Sequence, residues 1–539
     1  MERSDMIEDH GAARPQTWTV NRATEWLQRS FGGEQIIVLA NREPFRHDRD
    51  ACGRIVVKRS GTGVVHAVEP LLAACSGVWV AHGAGSADRD VVNDRDGMNV
   101  PPDDPRYRLR RVWMEEDEER GYYDGFANEA LWPLCHRVHV RPVFRRTDFD
   151  MYWAMNSRFA EAVCEEALGD VPVVLVQDYH FALAPLMIRE RLPRSTIVSF
   201  WHVPWPHWQM FEICPWHDRL VEGLAASDIV GLQTRADVTN FLETAQHSIG
   251  AHVDHERRSI IWAGRHVPVC AYPVSVPWPN VCGREPISVE SCRRQVQRQL
   301  GLRPHVRIGV GVDRLDYTKG IEEKLTAVER LLESRPDLRG AFTFIQLAAP
   351  SRARLPAYKH VRSRVLETTA RINGRFGDTR YQPVILLEAD HEQATVYRFL
   401  RAADVCYVAS LHDGMNLVAK EFVSARDDEH GVLMLSSFTG AAQELTDARL
   451  VNPYDIEDAA DAFGEALCMS RVEQRDRMRR MRQTVSEFNA YRWAVHMLTD
   501  ARQARREHGV IKAPAFVPGN PDVTQGVNGR ENPSNSQYS

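Results

Sequence analysis

The chain of 539 residues is 43% hydrophobic and 26% charged, an ordinary globular composition that excludes wholesale disorder. Lys+Arg 67 against Asp+Glu 73 leaves a formal net charge of −6, so no global positive field exists to hold nucleic acid or an anionic membrane. No apolar run reaches the ~18 residues of a membrane span, and the start, Met1-Glu2-Arg3-Ser4-Asp5, lacks the apolar core of a secretion signal, so the chain reads as cytoplasmic.

In chain order, residues 1–16 are polar, irregular and expected to be disordered. Strand-length apolar runs then alternate with helical patterns: Ile36–Ala40, Val78–Ala81, Val171–Val176, Thr196–Trp201 and Ile229–Leu232. The acidic run Glu115-Glu116-Asp117-Glu118-Glu119 reads as a solvated helix face. A Pro-rich stretch, Pro268 to Pro286, is the expected hinge. Beyond it the alternation resumes with Ile308–Val312, Thr343–Leu347, Val384–Leu387, Val405–Ala409 and Val432–Ser436. Runs apolar on both faces predict covered parallel strands, and the alternation predicts an α/β fold of two doubly wound, Rossmann-like domains, 17–285 and 286–484. Residues 485–508 form an amphipathic terminal helix, expected to pack back across the hinge, and 509–539 are a disordered tail. The ten cysteines include no C-x-x-C pair, and the histidines sit at no recognised ligand spacing, so neither disulfides nor a metal site is signalled.

Ligands of open α/β sheets bind beyond the carboxyl ends of the strands, and there the sequence is strongly polar. Arg314 and Lys319 follow Ile308–Val312 on a loop entering a helix. A planar guanidinium and a compact ammonium so spaced can clamp a diphosphate and neutralise its charge as it leaves; two ordinary surface cations are the competing explanation. After Val405–Ala409 comes His412-Asp413-Gly414-Met415-Asn416-Leu417, a glycine turn opening onto a helix whose free N–H groups would point at phosphate oxygens. Asp413 and Glu421 can accept from sugar hydroxyls, although as bare residues a capping Asp and an exposed Glu are the commoner explanation. Phe438-Thr439-Gly440-Ala441-Ala442-Gln443-Glu444 repeats the arrangement. Before the hinge, strand ends carry Asn41-Arg42-Glu43-Pro44, Gln177-Asp178-Tyr179-His180 and His202-Val203-Pro204-Trp205-Pro206, with a flexible Ser60-Gly61-Thr62-Gly63 between. Asp178 and His202 can hold sugar hydroxyls or a proton; a structural His beside aromatics is the alternative.

Taken together, these strings with Gly121-Tyr122-Tyr123, Leu131-Trp132-Pro133, Arg314-Leu315-Asp316-Tyr317-Thr318-Lys319-Gly320, Ser351-Arg352, Arg371-Ile372-Asn373-Gly374 and Val451-Asn452-Pro453-Tyr454 resemble the trehalose-6-phosphate synthases over about 35 to 500. These are retaining glycosyltransferases of the GT-B fold. The resemblance implies glucose transfer from UDP-glucose to glucose 6-phosphate, without a metal or other cofactor. It implies that Arg314 and Lys319 grip the donor diphosphate, that Glu421 holds the ribose, and that Asp413 and His202 contact the transferred glucose. The backbone from Gly414 through Met415, Asn416 and Leu417 assists at the donor, and Gly63 belongs to a loop closing over it. On the acceptor side it implies Arg42, Tyr123, Trp132 and Arg352 around the sugar phosphate and Asp178 on sugar hydroxyls. The expected partners are these small molecules; a homo-oligomer stays open.

The chain departs from the family pattern at Thr62 and Val64, at Val203 and Trp205, at His82 and at His412, where an Arg is common. These departures leave acceptor and nucleotide base open, with glucosylglycerol-phosphate synthesis as the alternative and a non-catalytic regulatory subunit as the alternative of another class.

Overall fold

The computed structural model describes residues 17–31, 33–59, 63–279 and 287–510. Residues 1–16, the loop residues Ser60–Thr62, the last part of the expected hinge and the expected tail beyond Val510 therefore lie outside the described residues, while 509 and 510, expected in that tail, are helical.

Two parallel sheets carry the architecture. The larger runs His252–Asp254, Ser259–Trp262, Arg265–Ala271, Ile229–Leu232, Thr196–Phe200, Val173–Gln177, Ile36–Leu39, Val78–His82, Tyr107–Val112, Gly97–Val100. From Arg265–Ala271 to Tyr107–Val112 neighbouring strands are parallel, and antiparallel strands close both ends. The smaller sheet is parallel throughout, in the order Val384–Glu388, Phe342–Ala349, Arg307–Arg314, Val405–Val408, Val432–Ser436, Arg449–Val451. Central strands such as Ile36–Leu39 and Val405–Val408 are buried at every position, because helices cover both faces and β-branched residues fill a two-sided core.

Each sheet reverses its strand order once, and that reversal fixes where a ligand fits. In the larger sheet the chain builds outward from Ile36–Leu39, then returns to lay Val173–Gln177 on its other side. In the smaller sheet Arg307–Arg314 pairs with Phe342–Ala349 on one side and Val405–Val408 on the other. Loops leaving such neighbours diverge and open a crevice at the strands' carboxyl ends.

All ten apolar runs are strands within a residue or two of their expected ends. Others were not anticipated. Tyr107–Val112 carries three arginines, which conceal its period; they are held by Glu165, Glu166, Asp96 and Asp88. The hairpin Phe45–Arg49 with Ile55–Arg59 lies outside both sheets. The expected hinge begins inside a strand, Arg265–Ala271, which pairs with Ile229–Leu232. Gly63, expected in a flexible loop, opens the helix Gly63–Cys75. The last helix, expected over 485–508, is Ala490–Val510. Asn489 separates it from the preceding helix by accepting from the N–H groups of Tyr491 and Arg492 at 3.0 and 3.1 Å. Its apolar positions Ala490, Ala494, Met497, Leu498 and Ala501 are buried, one stripe of a 3.6-residue period. Trp493 Nε1 donates to the Tyr272 carbonyl at 3.2 Å and Tyr272 Oη to Asp500 at 2.7 Å, which fastens the helix to the larger sheet. No helix among the described residues is long and apolar enough to cross a membrane.

Candidate active site

After strand Arg307–Arg314, Asp316 caps the turn Tyr317–Lys319, its Oδ1 accepting from the Thr318 N–H and hydroxyl, each at 3.0 Å. Gly320 closes the turn at φ 59°, with the Ala409 carbonyl where a Cβ would stand, so both conformation and space demand glycine. The turn thus locks onto the loop after Val405–Val408, whose Leu411 N–H donates to the Thr318 carbonyl at 2.8 Å. Lys319 Nζ lies 2.5 Å from Asp413 Oδ2. Asp413 also accepts from Ser410 Oγ and Asn416 Nδ2, each at 3.2 Å. Against the desolvation of burial, Lys319 holds the Asp413 carboxyl below its ordinary range.

Asn416, at φ 72°, caps the helix Leu417–Ala425 by accepting from the Ala419 N–H at 3.3 Å. Met415 is buried and Leu417 half-buried. A Cβ on Gly414 would collide with the His202 carbonyl, and one on Gly440 with the Gly414 carbonyl. Three loops from both sheets therefore meet backbone to backbone. Further along the helix, burial alone pushes Glu421 up from 4.5 to about 7.

In the larger sheet, Arg42 follows Ile36–Leu39, and its carbonyl accepts from Trp79 Nε1 at 3.2 Å. Asp178 sits at φ 75° after Val173–Gln177, a conformation costly for a residue other than glycine and typical of functional sites. Its Oδ1 accepts from the N–H groups of Tyr179 at 3.0 Å and His202 at 3.1 Å, yet burial pushes its carboxyl up to about 6. His202 Nε2 meets Gln177 Oε1 at 3.0 Å, and burial drives the ring down to about 3, so it is neutral at physiological pH. With Nε2–H donating to Gln177, Nδ1 is left as an acceptor.

Arg42, Tyr123, Trp132, Asp178, Arg314 and Arg352 line one cavity of ≈ 150 Å³. The Trp132 ring lies 4.1 Å from the Arg352 guanidinium carbon and 5.3 Å from that of Arg314, within cation–π range of both. Arg352, at φ 43°, donates from Nη2 to Tyr179 Oη at 3.1 Å and from Nη1 to Tyr358 Oη and to Asp316 Oδ2, the last at 3.2 Å. Tyr123 stacks on His180, ring centroids 5.7 Å apart and planes 8° from parallel. Despite its burial, Arg352, Arg42 and Arg314 draw the Tyr123 phenol below its ordinary range, which reports an excess of positive charge in the cavity.

Every expected side chain with a described position lies at this crevice or along the helix leaving it; Gly63 stands at the start of Gly63–Cys75. Three further residues were not singled out. Asp316 is fully buried, with Oδ2 3.2 Å from Arg352 and 3.6 Å from Arg314, so one carboxylate backs two guanidiniums. Gln177 and His180 line the cavity, and Gln177 Nε2, His180 Nε2, Trp132 Nε1 and Arg352 Nε are buried there without a hydrogen-bond partner. Such groups are costly unless a ligand completes them. Each of the three stands in a string already quoted, one or two residues from one singled out, and membership of that string is the signal for it. His412, where the resemblance expects an arginine, accepts at Nδ1 from the Arg137 N–H at 3.2 Å. A groove of ≈ 360 Å³ along Arg471–Glu487 shares no lining residue with the crevice cavity; its arginines are paired with Glu473 and Asp447.

The raised carboxyls give the site a pH signature. The folded protein holds on Glu421 a proton that the unfolded chain releases near 4.5, so this contribution to stability is complete below that pH and is lost as pH rises to about 7. Asp178 and Glu43, raised to about 6 and about 7, act in the same sense. Glu421→Gln is expected to stabilise the ligand-free protein at pH 8 by on the order of 2 kcal/mol and to reduce, not abolish, the decline between pH 5 and 8. Urea unfolding across that range measures it.

The sequence model of glycosyltransferase family 20 matches residues 34–503. The trehalose-6-phosphate synthase of Mycobacterium avium (strain 104) is 39% identical over 474 residues, 86% of this chain and 94% of the relative. That of Mycolicibacterium smegmatis is 38% identical over 489 residues, 89% and 94% of the two chains. Among solved structures, an α,α-trehalose-phosphate synthase (UDP-forming) from Burkholderia xenovorans in complex with glucose-6-phosphate superimposes with TM-score 0.75 at 31% identity, covering 87% of this chain and 100% of the other. An E. coli protein bound with UDP-2-fluoro glucose gives TM-score 0.74 at 28% identity, covering 87% and 99%. Two doubly wound sheets meeting at paired crevices are the GT-B fold, and with a sequence match running through both of them, the chain belongs to glycosyltransferase family 20.

Proposed function

We propose that this protein is a UDP-forming α,α-trehalose-phosphate synthase, transferring glucose from UDP-glucose to glucose 6-phosphate with retention of configuration. The observation that carries the reading is the gathering of Arg42, Arg314 and Arg352 on one cavity, where charge can be provided for one anion that stays and one that leaves. In the reaction the bond from the glucosyl C1 to the diphosphate oxygen breaks and a bond from C1 to the acceptor's anomeric oxygen forms. The acceptor proton passes to the departing phosphate oxygen.

Arg314 and Lys319 act on the leaving diphosphate, helped by the helix start at Gly414, Met415, Asn416 and Leu417. Together they supply positive charge without a metal. Lys319 is paired with Asp413, so the arriving diphosphate takes the ammonium and frees Asp413, with His202 Nδ1, to accept from the glucose. Glu421 accepts from the ribose, which draws its proton off, and the segment at Gly63 covers the donor. On the other side Arg42 and Arg352 bind the acceptor phosphate, Tyr123 and Trp132 wall its sugar, and Asp178 accepts from its hydroxyls. The substrates are free cytoplasmic metabolites.

Purified protein given UDP-glucose and glucose 6-phosphate is expected to release UDP and to yield a non-reducing disaccharide phosphate whose single glycosidic bond joins two α-anomeric carbons by NMR. ADP- and GDP-glucose, and glycerol 3-phosphate as acceptor, serve as comparators. No UDP release, or turnover only with the three-carbon phosphate, would overturn the reading.

A further inference from the structure

Arg352 reaches the cavity from a loop of the smaller sheet, whereas Tyr123 and Asp178 reach it from the larger; Arg352 already joins the two sides through Tyr179 Oη at 3.1 Å, and a further tie beside it would fix their separation. Two residues beyond Arg352, Arg354 provides one. Its Nε lies 3.1 Å from Asp124 Oδ2 and its Nη2 3.2 Å from Glu119 Oε1. Asp124 is the neighbour of Tyr123, so one ion pair joins the residue beside the wall to the loop bearing the guanidinium. The acidic run expected to be solvated is therefore partly engaged: Glu119 holds Arg354 and Glu118 holds Arg158.

Both anchors look set for position rather than for bulk stability. Asp124 is 7% exposed in its side chain while Arg354 is 52% exposed, so a buried carboxylate draws a surface arginine over to it. Burial raises the Asp124 carboxyl and Arg354 opposes that rise, with Glu119, Glu129 and Arg352 as the other charges nearby. Asp124 stands on Arg120–Leu131, twelve residues wound as a π-helix, a form that is rare and recurs at functional sites. On the opposite side the loop is held at Arg352 in the left-handed region, and left-handed backbone persists only where surroundings fix it.

We propose that Arg354 is a positioning residue for the acceptor: its bridge to Asp124 and Glu119 sets the distance from Arg352 to Tyr123 and thereby the fit of the sugar phosphate. The inference rests on the proposed function, since it names the acceptor as the ligand whose fit is set. Arg354 is not among the residues lining the cavity, so it would act through Arg352 and Tyr123.

Arg354→Ala is expected to raise KM for glucose 6-phosphate about 5- to 20-fold, with KM for UDP-glucose within about twofold of wild type. Arg354→Lys restores part of the loss, and Asp124→Asn added to Arg354→Ala costs less than the two losses multiplied. A structural role alone would move both KM values together or only the melting temperature. Hydrogen exchange without ligand gives a reading independent of turnover: the amides of residues 351–355 exchange faster in Arg354→Ala, while those of strand Val405–Val408 do not. Unchanged KM for glucose 6-phosphate together with unchanged exchange overturns the proposal, as does an equal rise in both KM values. Wild-type protein that releases no UDP overturns the proposed function instead, and the exchange measurement still decides whether the bridge fixes the loop.

Discussion

Arg314→Ala is expected to lower kcat about 10²–10³-fold, equivalent to about 3–4 kcal/mol of transition-state stabilisation. The loss falls on kcat because charge on the leaving diphosphate grows as the glycosidic bond breaks, so a fixed guanidinium is worth more in the transition state than in the bound substrate. Its fork is aimed by the Trp132 ring at 5.3 Å on one side and Asp316 at 3.6 Å on the other. Arg314→Lys keeps the charge but not the planar fork and recovers only part of the rate. Stability should barely move, since the side chain is 36% exposed and Asp316 keeps Arg352 as partner. UDP release under saturating substrates and a melting curve make the two readings; a variant with wild-type kcat removes Arg314 from the chemistry.

Asp316→Asn is expected to be the most destabilising single change at the crevice, by about 3–5 kcal/mol at pH 7. The carboxylate is wholly buried. It compensates Arg352 and Arg314 while holding the Thr318 turn that presents Lys319. An amide would turn N–H donors toward guanidiniums that are themselves only donors, leaving buried positive charge uncompensated. Against desolvation, Arg352, Arg314 and Lys319 hold the Asp316 carboxyl below its ordinary range. Its stabilisation is therefore present above an unfolded value of about 3.9 and lost as pH falls through the lower folded value. Urea unfolding of both proteins at pH 7 checks the size of the effect; equal stabilities would show that the two guanidiniums need no such counter-charge.

The sequence made the sheets legible where the physics is local. Ile36–Leu39 and residues 432–435 read as covered strands, because a run of four apolar residues bounded by polar turns is strand length and fits a sheet with helices on both faces. Tyr107–Val112 was not legible, since Arg108, Arg110 and Arg111 are tolerated in a strand only by partners distant in sequence, Asp88, Asp96, Glu165 and Glu166. At the crevice, residue type and position after a strand make Arg314, Lys319, Asp413 and Asp178 candidates, and the resemblance to the trehalose-6-phosphate synthases is what selects them over ordinary surface cations and capping residues. The same cues cannot show that Lys319 and Asp413 pair, that Asp316 backs two arginines, or that Arg354 reaches across to Asp124. Those facts depend on how two sheets face each other, and no local pattern encodes that.

The account stands on two anions held side by side by cations from both sheets, and a crystal structure with UDP and glucose 6-phosphate bound together tests it most directly. It predicts the diphosphate against Arg314 and Lys319, the sugar phosphate against Arg42 and Arg352, and the ammonium of Lys319 drawn off Asp413. Either anion bound elsewhere, or the Lys319–Asp413 pair intact with both ligands present, would contradict it.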